Sequence, residues 1–186
     1  MSDYRNGNYS AFYVDEPFTD DALGAYSTPD FVYYQMLCMW KGLDYDFPFI
    51  DSHMKNYNVR DGSDWESTLK PRLHERLRKS KNIVLFLSSV TRNSRALREE
   101  VDYGINTCGL PVIVVYPDFK SYRDIVNGDH LSHKVVDLWE QLPKFRDSKD
   151  AVACVHVPIA KEYIVKALAD PSYTVQHMAE PGDYIA

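Results

Sequence analysis

The run LPVIVVY at Leu110–Tyr116 is apolar without a break. A strand with one wet face alternates apolar and polar residues. An unbroken run of this length therefore reads as a strand buried on both faces, as in a parallel sheet covered by helices. The stretch from Val59 to Tyr103 fits the same picture. It passes from a polar loop (Arg60, Asp61, Gly62) into an amphipathic segment with Trp65, Leu69, Leu73 and Leu77 spaced by four. An apolar strand follows, Ile83 to Leu87, ending in Ser88 and Ser89. A second helical pattern then carries Glu99 and Glu100.

Three further strands are expected, at Tyr9–Val14, Phe47–Asp51 and Ala151–Val157. Helices are expected at Phe31–Leu43 and Ile159–Leu168, with a short helical pattern around Val135, Leu138, Trp139 and Leu142. Alternating strands and helices predict an α/β, flavodoxin-like three-layer fold, with a five-stranded parallel sheet of order 2-1-3-4-5 and helices on both faces. The start of the second helix is open in sequence. Ser63 and Glu66 form a possible capping box, whereas Pro71 is best tolerated in a first turn, which places the regular helix near Thr68. The division is an arm over 1–8, one domain over 9–169 and a tail over 170–186. That tail has two prolines and no period, so loose packing is expected there.

With 186 residues, 45% hydrophobic and 26% charged, the chain has the composition of one globular domain. A net charge of −6 argues against a nucleic-acid backbone as partner, which needs clustered Lys and Arg. The basic run Arg72, Arg76, Arg78, Lys79 and Lys81 reads as a solvated helix face. Cys38, Cys108 and Cys154 are far apart and read as small buried hydrophobes. The beginning MSDYRNGNYS has no signal-peptide pattern, and no apolar run is long enough to span a bilayer. A cytoplasmic location and no membrane contact are the expectation. The histidines show no metal-ligand spacing, so no metal site is expected.

Glu99 and Glu100 point about 100° apart on a helix, so only one can face a pocket. Leu97, Val101 and Ile105 mark the core stripe. Glu100 lies beside it, and Glu99 lies farther round toward solvent. Ligands of open α/β sheets bind beyond the carboxyl ends of strands. Several side chains fall at such ends: Phe12 and Tyr13 at the end of the first strand, then Asp51, Ser52 and His53 following the second. Arg60 could meet a phosphate group with its planar donors, and Trp65 could wall a pocket. Each also has a plain reading: core packing for the aromatics, a solvent-facing side chain for Arg60. Neither a G-x-G-x-x-G, a Walker loop nor a G-x-S-x-G elbow is present.

The order of these parts resembles the TIR domain: a glycine (Gly62) three residues before Trp65, a helix ending near Ser80, a strand ending in serine, then Ser94-x-Ala96-x-x-x-Glu100. Within that group it is most similar to the TIR-like ThsB proteins of bacterial Thoeris antiphage defence. The segments that carry this are YRNGNYSAFY, FPFIDSHMKNYNVRDGS and SKNIVLFLSSVTRNSRALREEVDYGI. The resemblance implies an enzyme that cleaves NAD as a substrate, holds no permanent cofactor and uses Glu100 as its catalytic carboxylate. Phe12, Tyr13, Asp51, Ser52, Arg60 and Trp65 would shape the NAD site. It further implies an ADP-ribose-derived signal, cyclic or conjugated, that reaches a separate effector protein by diffusion, together with possible TIR–TIR self-association. Ala96 stands where many TIR domains have tryptophan, which would widen the pocket or shift its wall to Leu97 or Tyr103. Two alternatives remain open: a non-catalytic TIR interaction module, and a nucleoside deoxyribosyltransferase, which also sets a glutamate against a ribose carbon.

Overall fold

The computed structural model describes residues 5–13, 29–53 and 64–186. In chain order the strands are β1 (Gly7–Ala11), β2 (Ser80–Phe86), β3 (Val112–Tyr116), β4 (Val126–Asn127), β5 (His130–Leu131), β6 (Ala153–Pro158) and β7 (Gly182–Ile185). The α-helices are α1 (Phe31–Leu43), α2 (Lys70–Arg78), α3 (Arg95–Asp102), α4 (Tyr122–Ile125), α5 (His133–Trp139), α6 (Pro143–Ser148) and α7 (Lys161–Ala169). Five strands form one parallel sheet in the order β1-β2-β3-β6-β7, and β4 and β5 form a separate antiparallel hairpin.

Alternation along the central strands divides the interior in two. Ile83, Leu85, Val112 and Val114 face Leu73, Leu77, Leu97, Val101 and Trp139. Val84, Phe86, Ile113 and Val155 face Leu37, Phe49, Ile164 and Leu168. Helices thus cover both faces, as the unbroken apolar runs require. The α/β, flavodoxin-like fold class holds. Among the described residues no helix is long and apolar enough to cross a membrane.

Two parts of the sheet differ from expectation. Residues 47–51 lie beside β1 where a second strand belongs, but they contribute a single parallel bridge, Asn8 to Asp51. Pro48 has no N–H to donate, and the Phe47 carbonyl is taken by the Phe49 N–H at 2.8 Å and Lys41 Nζ at 2.8 Å. The segment after Asp170 is not a loose tail. Asp170 caps a short turn by accepting from the Ser172 N–H at 2.8 Å, Tyr173 is buried, and Val175 donates to the Lys81 carbonyl at 2.8 Å. The chain then adds β7 to the sheet edge.

The start of the second helix is also settled. A π-helical turn, Trp65–Leu69, runs directly into α2, and Pro71 falls in the first turn of α2. The cap is Asp64, which accepts from the Ser67 N–H at 2.8 Å. Ser63, the other half of the expected capping box, lies outside the described residues.

Candidate functional site

β1 ends between α2 and α3, and a cavity of about 190 Å³ opens there. From β1 come Tyr9, Ser10 and Phe12; from the turn before α2, Trp65 and Leu69; from α2, Arg72, Leu73 and Arg76; from α3, Ala96 and Glu100. His53, beyond the Asp51 bridge, closes one side. Helical spacing explains the convergence. Residues 65, 69, 72, 73 and 76 fall on one helix face, as do 96 and 100 on α3.

α3 is fixed at both ends. Ser94 accepts from the Leu97 N–H at 3.3 Å at its N-terminus. Leu97, Val101 and Ile105 are buried in the core. The helix continues as a π-helical turn, Tyr103–Thr107, and ends at Gly109, whose φ of 63° suits a residue without Cβ. Gly104 allows this turn to lie against β2, since a Cβ there would come within 2.4 Å of the Ile83 Cδ1.

Glu100 is held by one strong contact and leaves one oxygen bare. The Tyr9 hydroxyl donates to Oε1 at 2.9 Å. Oε2 is buried and has no hydrogen-bond partner among the described residues. The residue as a whole is only half-buried, because it lines the cavity, yet the carboxyl tip itself is shielded from water. Burial pushes its pKa up to about 8, against smaller downward pulls from the Tyr9 hydrogen bond and the Arg76 charge. Ser10 Oγ is a second buried cavity atom without a hydrogen-bond partner among the described residues. Bare buried polar atoms are rare in native interiors, and two on one cavity wall mark a place for a polar ligand.

His53 is locked as a neutral ring. The Ser10 carbonyl can only accept, so His53 Nε2 donates to it at 3.1 Å; a guanidinium can only donate, so Nδ1 accepts from Arg76 Nη1 at 3.2 Å. Burial lowers the pKa of His53 to about 4, helped by Arg76 and opposed by Asp51. A ring held this way does not exchange protons near neutral pH.

The residues singled out in sequence divide into groups. Glu100, Phe12 and Trp65 line the cavity. Trp65 is stacked by Arg95, whose guanidinium carbon lies 4.7 Å from the ring centre. Tyr13 packs at the edge of the core. Asp51 accepts from the Tyr34 hydroxyl at 2.6 Å and from the His53 N–H at 2.8 Å, so it braces the segment that carries His53. Ser52 faces Gly7 on the β1 side. Arg60 lies outside the described residues. Ala96 lines the cavity, and neither Leu97 nor Tyr103 is among the described lining residues: Leu97 is core, and Tyr103 stacks on His74 at 3.5 Å. Glu99 is not solvated as expected; it meets His74 Nε2 at 2.7 Å and Lys70 Nζ at 3.5 Å.

Sequence reasoning did not place Tyr9, Ser10, Arg72 or Arg76 in the site. For the arginines a signal was present: they sit one residue before Leu73 and Leu77 and four apart, on the border of the apolar stripe. The basic run therefore splits. Arg72 and Arg76 turn inward, while Arg78 and Lys79 are exposed and bond Tyr103 and Glu75. Among the described residues no group of three His, Cys, Asp or Glu is placed to hold a metal ion.

Residues 9–122, more than half of the chain, match the family model described as the Thoeris protein ThsB, TIR-like domain. The match takes in every described wall of the cavity, from Tyr9 to Glu100. The chain belongs to the ThsB TIR-like family and is a TIR-like module of Thoeris defence.

Proposed function

We propose that this protein cleaves the bond between nicotinamide and ribose in NAD, with Glu100 as the catalytic residue. The observation that carries the reading is the sequestered Glu100 carboxyl, with Oε2 unpartnered among the described residues in a cavity whose walls include Tyr9, Phe12 and Trp65. When the bond from ribose C1′ to the pyridinium nitrogen breaks, both electrons go to nitrogen and nicotinamide leaves neutral. Positive charge builds on C1′, and a carboxylate shielded from water stabilises it strongly. No proton donor is needed for the leaving group. An acceptor hydroxyl, amine or water then adds to C1′ and gives up its proton, forming an ADP-ribose-derived signal that activates a separate effector. Phe12 or Trp65 offers a face for the nicotinamide ring.

The free site holds Glu100 largely protonated at neutral pH, and the cationic nicotinamide ring of the arriving substrate favours its ionisation. The kcat/KM of the enzyme should therefore rise with pH along a limb centred near 8. Initial rates across pH 6 to 10 check this; a limb centred near the ordinary glutamate range would contradict it. Tyr9→Phe removes a hydrogen bond that favours the ionised form, so activity at pH 7 should fall about tenfold. The deficit should shrink at high pH, where Glu100 ionises in both proteins. A deficit equal at every pH would assign Tyr9 to packing alone.

The reading is tested by mass spectrometry of NAD incubated with concentrated protein, with and without lysate from phage-infected cells. Nicotinamide with an ADP-ribose-derived product supports it. Self-association without NAD consumption in either condition would replace it with an interaction module, and base exchange on deoxynucleosides would make the protein a deoxyribosyltransferase.

A further inference from the structure

We propose that His53 is a positioning residue of this cavity, whose neutral ring directs the Arg76 guanidinium on the wall it shares with Glu100. The inference rests on the reading of Glu100 as the catalytic carboxylate. Both ring nitrogens are committed: Nε2 donates to the Ser10 carbonyl at 3.1 Å, and Nδ1 accepts from Arg76 Nη1 at 3.2 Å. The ring is also held from behind. The His53 backbone N–H donates to Asp51 Oδ1 at 2.8 Å, and Asp51 Oδ2 accepts from the Tyr34 hydroxyl of α1 at 2.6 Å. The Tyr9 and Tyr34 rings pack against it, with centroids at 4.8 and 5.7 Å. His53 therefore joins β1, α1 and α2 at one corner of the site.

The direction of each bond matters. A guanidinium has only donors, so its neighbour must offer a lone pair. The Ser10 carbonyl fixes the proton on Nε2 and leaves that lone pair on Nδ1, aimed at Arg76. The groups that titrate or carry charge at this corner are Tyr9 from β1, Arg72 and Arg76 from α2, Glu100 from α3 and His53, with Asp51 and Tyr34 behind it. Of these, Arg76 bears on Glu100 by charge: it favours the ionised carboxyl against the effect of burial. Arg76 has further partners, so loss of His53 is expected to turn the guanidinium rather than to release it. Turned away from Glu100, it favours the carboxylate less.

The test is a titration of the Glu100 carboxyl by carbon-13 NMR, its resonance assigned by loss in Glu100→Gln, alongside nicotinamide release from NAD across pH 6 to 10. Wild type is compared with His53→Ala, His53→Asn and His53→Gln. His53→Ala should raise the midpoint of both curves by about half to one pH unit. The rate at pH 7 then falls by about three- to tenfold and stays near wild type at pH 10. An asparagine side chain sets an oxygen acceptor close to the Nδ1 position, so His53→Asn should restore the midpoint. A glutamine side chain sets a donor close to the Nε2 position, so His53→Gln should follow His53→Ala. If His53→Ala does not fold, the comparison of His53→Asn with His53→Gln decides alone. Restoration by His53→Gln and not by His53→Asn would make His53 a brace for β1, and a midpoint unmoved in every variant would mean that Arg76 is placed by its other partners. Either result overturns the inference, as does a rate loss equal at every pH. The two proposals fail separately. A Glu100 midpoint that follows this pattern in protein that leaves NAD intact keeps the positioning role and removes the cleavage. NAD cleavage with the midpoint unmoved does the reverse.

Discussion

Glu100→Gln is expected to lower nicotinamide release by at least ~100-fold, the scale of a lost electrostatic stabiliser, and to make the protein more stable in alkali. Both effects have one origin. The carboxyl sits where its charge is poorly solvated, so the folded state holds its proton to about pH 8 while the unfolded chain releases it near the ordinary value of 4.5. The folded pKa is raised, so the stability that the protonated carboxyl contributes is complete below pH 4.5. It is lost as pH rises through 8. Glutamine keeps the shape and never ionises. Above pH 8 the variant should therefore exceed wild type by about 1–3 kcal/mol, a range set below the full shift because the residue is only half-buried. Below pH 5 the two should melt alike. Thermal melts at pH 5 and pH 9 check this, and no alkaline gain would mean that Glu100 is better solvated than its buried Oε2 implies.

The second large effect concerns the far edge of the sheet. Trp139 Nε1 donates to the Tyr116 hydroxyl at 3.0 Å, and that hydroxyl donates to His156 Nδ1 at 2.7 Å. His156 Nε2 donates to Asp183 Oδ1 at 3.0 Å, and Lys149 Nζ donates to Asp183 Oδ2 at 2.7 Å. His156 is fully buried, and this chain of bonds ties β7 to β6, β3 and the turn after α6. Asp183→Ala leaves the His156 N–H unsatisfied and removes one of two carboxylates from Lys149. The expected cost is about 2–3 kcal/mol, or roughly 5–10 °C in melting temperature. Asp183→Asn keeps an acceptor for His156 but loses the charge, and should cost less. A melt for Asp183→Ala within 1 °C or so of wild type would show that β7 is held by backbone pairing alone.

The same network makes an acid prediction. Burial lowers the His156 pKa below its ordinary value despite Asp183; burial pushes Asp183 up, but its bonds to His156 and Lys149 together outweigh that and hold its pKa below the ordinary value. Both folded values are depressed. For His156 the contribution is complete above pH 6.5 and is lost as pH falls through its folded value; for Asp183 loss begins below about pH 4. Wild type should lose stability steadily as pH falls below 6.5, and Asp183→Ala should show a different acid slope.

What could be read from the chain follows how local the cause is. The apolar runs of β2 and β3 and the Phe31–Leu43 helix are set by their own residues, and they appear where expected. Glu100 could be placed because Leu97, Val101 and Ile105 fix the helix phase around it. β7 could not, because Gly182–Ile185 is only four residues long and becomes a strand through Asp183 meeting His156 and Lys149 far back in the chain. Residues 47–51 looked like a strand by composition, and Pro48 with the turn at Phe47 limits them to one bridge. Arg72 and Arg76 looked like part of a solvated run because sequence does not show that β1 delivers Ser10, and the segment after Asp51 delivers His53, to the same cavity. A buried acid was missed likewise: Asp30 accepts from the Ser88 and Thr91 hydroxyls at 3.1 and 3.2 Å, joining the start of α1 to the end of β2.

The most direct measurement is nicotinamide release from NAD as a function of pH, for wild type and Glu100→Gln side by side under conditions that activate the wild type. The account predicts a wild-type profile rising through a limb near pH 8 and a variant at least ~100-fold lower at every pH. Comparable release from both proteins would contradict it and place the chemistry on another residue.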